Sequence, residues 1–136
     1  MSNLVLEINW LAVFIIGLIY FAIHFFWYYP SAFGNMWLKL VGKESEDKSK
    51  IVKETIIMIP ISFITVLVID IIMILIGITE IGPALLLNLL LWVGLVGTIG
   101  INQTNFNGRG LKLFLLEYGV YLICFLISGI ILVSWR

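Results

Sequence analysis

His24, Asp70 and Glu117 are the residues of this chain whose side chains could carry a proton or hold an ion from within long apolar runs. An ionisable group in hydrocarbon costs at least about 2.5 kcal/mol, so it usually faces protein or water. Asn88 and Asn102 are neutral polar residues that could accompany them. Cys124 is the single cysteine, which removes an intrachain disulfide and a cysteine pair for a metal. The common catalytic and phosphate-binding motifs, such as CxxC, HExxH, GxGxxG and GxSxG, do not occur. A His–Glu pair with no nucleophile or ligand set around it is thin support for catalysis. The chain therefore reads as a non-enzyme, with no cofactor and no metal site.

The elements that must position these residues follow from composition. Hydrophobic residues make up 62% of 136 residues and charged ones 12%, with mean hydropathy +1.14. Soluble domains are nearer 45–50% apolar and about 25% charged. So few charged side chains cannot cover a water-facing surface. Eight basic residues balance eight acidic ones, so nothing draws the chain to nucleic acid. The expected class is an all-α membrane protein, one integral domain over 1–136 whose surroundings are a lipid bilayer.

Four apolar runs, about 8–29, 55–77, 83–102 and 111–133, are each long enough to cross roughly 30 Å of hydrocarbon. Nothing basic precedes the first, and it lacks a small-residue cleavage site, so it reads as a retained helix. Pro60 removes a backbone donor inside the second run and is expected to bend it. At 100° per residue, each run carries one polar or small stripe. Gly17, Tyr20, His24 and Tyr28 share a stripe on the first. Phe63, Asp70 and Gly77 recur by sevens on the second, as do Asn88, Leu95 and Asn102 on the third. Glu117, Tyr121, Cys124 and Ser128 share a face of the fourth. Turned inward, these stripes make a four-helix bundle with a partly polar interior. Depth then predicts an inner layer of His24, Asn102 and Glu117, and an outer layer of Asp70 and Asn88. His24 and Glu117 are expected within hydrogen-bonding or water-bridged reach. Asp70, with no basic residue in the outer half of a span, is expected to lack an ionic partner. Gly94, Gly97 and Gly100 form a small-residue face for close packing, inside the fold or against a second copy.

Basic residues set orientation. Lys39, Lys43, Lys48, Lys50, Lys53, Arg109 and Lys112 flank the first and third connections, against Arg136 on the other side. Seven against one places those connections in the cytoplasm and both termini outside. Within the first connection, Phe33, Met36, Trp37, Leu40 and Val41 recur as one apolar face. This predicts a short interfacial helix lying in the headgroup plane with Trp37 as anchor. Ser45, Glu46 and Asp47 resemble a helix start, with Glu46/Lys50 and Lys50/Glu54 as i,i+4 pairs on it. Trp10, Trp27, Tyr28, Tyr29 and Trp135 lie at span ends as an aromatic belt.

The stretch Trp27-Tyr28-Tyr29-Pro30-Ser31-Ala32-Phe33-Gly34-Asn35-Met36-Trp37 reads W-Y-x-P-x-x-F-G-x-x-W. It resembles the signature of an uncharacterised membrane family, domain of unknown function seventeen sixty-one. The opening Asn9-Trp10-Leu11-Ala12-Val13 is similar to that family's start. Asn105-Phe106-Asn107-Gly108-Arg109 followed by Leu111-Lys112-Leu113-Phe114 resembles its link into the last helix. The resemblance implies a four-helix prokaryotic membrane protein and no known activity, with Trp27, Tyr28, Pro30, Phe33, Gly34 and Trp37 as motif residues. His24 and Glu117 depart from its usual pattern, where a small residue and Asn are common.

Two functions fit these features. One is an ion, proton or small-solute channel or transporter using the polar layers. The other is a non-catalytic subunit or packing partner in a larger membrane complex. Either is expected to be homo-oligomeric or to sit in a complex.

Overall fold

The computed structural model describes residues 3–43 and 55–136. The chain is all-helical, with no strand among the described residues. After a short turn α1 (Leu4–Glu7), the long helix α2 (Trp10–Trp27) leads through a kink to α3 (Asn35–Leu40). Then come α4 (Met58–Leu75), α5 (Ile81–Leu91), α6 (Thr98–Phe106) and α7 (Leu111–Ser134). A wide π-type turn, Trp92–Gly97, joins α5 to α6 in one continuous third helix. Four helical stretches are long and apolar enough to cross a membrane: Trp10–Leu40, Met58–Leu75, Ile81–Phe106 and Leu111–Ser134. The expected helix start around Ser45, with its i,i+4 pairs, lies outside the described residues.

The helices do not stand at four equivalent corners. α2 packs along α4, and α5 packs along α7. α7 also touches α2, α3, α4, α6 and the π-type turn. α7 is thus the hub: its most apolar stretch is 39% buried, against 22% for the third helix. Its buried positions Leu113, Leu116, Val120, Cys124, Ser128 and Leu132 recur every three or four residues, as a helix face requires. Of these, Val120, Cys124 and Leu132 meet Ala12, Ile16 and Tyr20 of α2 and Val66, Ile69 and Met73 of α4 in one core. Close approach is allowed by glycines. A Cβ at Gly17 would stand 2.5 Å from the Phe63 ring, and one at Gly100 would stand 2.6 Å from Tyr118. Gly97 and Gly100 are therefore used inside the fold, whereas Gly94 meets open space.

Two prolines act at helix starts. Thr55 and Ile56 are helical, Ile57 interrupts the winding, and α4 proper begins at Met58, so Pro60 lies in the first turn of α4. In a first turn a missing N–H is tolerated, because the first amides of a helix lack partners within it. Pro30 follows Tyr29, whose backbone is extended (φ −64°, ψ 142°), as the residue before proline prefers. The kink is completed at Ala32 (φ −94°, ψ −109°). α4 stops at Gly77, whose φ of 71° is free for glycine alone. The Ile78 N–H then turns back to the Met73 carbonyl at 2.9 Å.

The W-Y-x-P-x-x-F-G-x-x-W motif forms the clip at this kink. Phe33 packs at a tilt against Trp27 with ring centres 4.4 Å apart, and Trp37 meets Tyr28 edge-on at 5.7 Å. Gly34 is buried hard against the Tyr28 carbonyl, where any Cβ would collide with backbone. Phe33, Met36 and Leu40 are exposed, while Leu38 is buried and Trp37 half-buried. The kink therefore turns Trp37 toward the bundle, not outward with the rest of its predicted apolar face.

Replacing Gly34 by Ala should destabilise the protein by about 1–3 kcal/mol, as overpacking against rigid backbone does. Gly119→Ala, in open space on α7, should be neutral or stabilising. Thermal unfolding in detergent checks both.

Candidate functional site

Three tryptophans from three elements converge on one turn of α7. The Trp27 indole N–H, at the end of α2, donates to the Leu116 carbonyl at 3.0 Å. The Trp37 N–H, on α3, donates to Glu117 Oε1 at 2.9 Å. The Trp92 N–H, in the π-type turn, donates to the Tyr118 carbonyl at 2.9 Å. Indole is the side chain suited to this task, because it buries a large apolar body while offering one donor. Arg109, in the connection before α7, closes the set with an ion pair to the same Glu117 oxygen at 2.7 Å. Glu117 is only 16% exposed, so two donors offset its desolvation.

His24 belongs to a different cluster. Its ring stacks on Tyr20 at 5.0 Å and meets Tyr121 edge-on at 4.8 Å. With the proton placed on Nδ1, the ring donates to the Tyr20 carbonyl one turn back, at 3.2 Å. Cys124 Sγ lies 3.6 Å from the same nitrogen. Nε2 and the Tyr20 hydroxyl are buried without a well-formed hydrogen bond among the described residues. Thus His24 and Glu117, expected as a pair, are each held by other groups, and no hydrogen bond joins them among the described residues.

Asn102 is exposed. The reason is the π-type turn, whose looser winding lags an α-helix by roughly 100° over six residues. The buried register passes from Ala84 and Asn88 to Gly97, Gly100 and Thr104. Spacing by sevens from Asn88 therefore misses the interior by the time it reaches Asn102.

At the opposite end of the bundle Asp70 is 1% exposed, yet it does not lack an ionic partner as expected. Arg136, just beyond α7, donates through Nη2 to Asp70 Oδ1 at 2.5 Å and through Nη1 to the Ile78 carbonyl at 2.7 Å. Its long side chain reaches back from the helix end, so a count of bases within the spans overlooks it. Asp70 Oδ2 is buried and unpaired among the described residues. Asn88 is fully buried and donates to the Ala84 carbonyl of its own helix at 2.8 Å. Its amide lies against Gly129 of α7, where no Cβ would fit. Asp70 and Asn88 are thus secured separately.

Between these ends the core is closed by Ile16, Val66, Ile69 and Val120. Among the described residues no three His, Cys, Asp or Glu side chains gather as a metal site would need. Chemically, the arrangement binds helices together through buried polar contacts. Trp92, Arg109 and Arg136 were missed by a reading confined to polar residues within spans. Their signal lay elsewhere, in donors at span ends and at a turn.

Removing one partner of the Asp70–Arg136 pair should cost more than removing both. Asp70→Leu strands a guanidinium and should lower the thermal midpoint further than Asp70→Leu combined with Arg136→Leu. Asp70→Asn, which keeps an acceptor, should fall closest to the parent chain. A double-mutant cycle in detergent measures the coupling.

No curated protein and no solved structure matches the chain. A family model covers nearly all of it: residues 11–133 match the family described as Protein of unknown function (DUF1761), and the chain belongs to that family.

Proposed function

We propose that this protein is a non-catalytic multi-pass membrane subunit, which associates with a second copy or with a larger membrane assembly. The observation that carries this reading is the engagement of its buried charges. Asp70 is taken by Arg136, and Glu117 by Arg109 and Trp37. A permeation path needs polar groups that exchange partners with a passing ion. Here they hold helices instead, with an apolar core between the two ends. That favours a supporting role over the channel or transporter role that the polar stripes alone suggest.

The Trp37 end is proposed to face the cytoplasm. Lys39, Lys43, Arg109 and Lys112 lie at that end among the described residues, against Arg136 at the other. α3 is proposed to lie at the bilayer surface, with Phe33, Met36 and Leu40 toward lipid.

Purified protein in proteoliposomes should pass protons and potassium no faster than empty vesicles, and crosslinking in native membranes should capture a stoichiometric partner or second copy. Flux that Asp70→Asn abolishes would establish transport instead. Orientation is tested separately in a Cys124→Ser background. A cysteine at exposed Thr79 should react with an impermeant maleimide from outside intact cells, while one at Asn107 should not.

A further inference from the structure

We draw no further inference here: the strongest candidate, the cleft between the end of α6 and the start of α7 lined by Asn102, Thr104, Asn105 and Leu111, is a helix N-terminus beside which the Thr104 hydroxyl, unpartnered among the described residues, is buried out of reach of the cleft, so nothing in the structure shows what would occupy it.

Discussion

The grip of three indoles on residues 116–118 of α7 is the constraint from which the rest of the arrangement follows. In hydrocarbon, helices gain little from hiding apolar surface from one another, because lipid tails are equally apolar. Specific polar contacts and close packing must then set the geometry. Trp27, Trp37 and Trp92 provide both, each filling space with a large ring and fixing it with one hydrogen bond. Because they come from α2, α3 and the third helix, one turn of α7 registers three elements at once. The motif clip serves this grip directly: Pro30 and Ala32 kink the chain, Gly34 lets it pack against the Tyr28 carbonyl, and Trp37 arrives beside Glu117.

Polar residues within the helices follow a second rule. Ser62, Asn88, Thr98, Ser128 and Ser134 each donate to a carbonyl four residues back on their own helix. This local bonding is available to short polar side chains in any helix. It satisfies their donors without calling on a neighbour. Such residues mark close packing more than pathways, as the fit of Asn88 against Gly129 illustrates.

Much of the architecture was legible from hydropathy, since helices long enough to cross a membrane leave an unmistakable run of apolar residues. The motif residues were legible as a group, although their roles needed the kink at Ala32 to become clear. The inner polar layer was not legible, for two physical reasons. Angular arithmetic assumes an unbroken α-helix, and the turn at 92–97 breaks that assumption, carrying Asn102 to the surface. Partner choice also depends on reach, and the long side chains of Arg109 and Arg136 bridge distances that stripes and depths do not register. Glu117 and His24 share a helix face or depth on paper, yet the first turns to the bundle's rim and the second into a ring of tyrosines.

The central place of α7 has a consequence for biogenesis. Chains are made from the amino terminus onward, and α7 follows the other long apolar helices in order. Until it arrives, the indoles of Trp27, Trp37 and Trp92 have no α7 acceptors, and the third helix lacks the neighbour against which it packs. Among the described helices, α2 and α4 pack extensively on each other without α7. Before α7 is made, α2 and α4 have each other to pack on, whereas the third helix lacks its main neighbour. Arrival of a single segment then completes most of the tertiary contacts together.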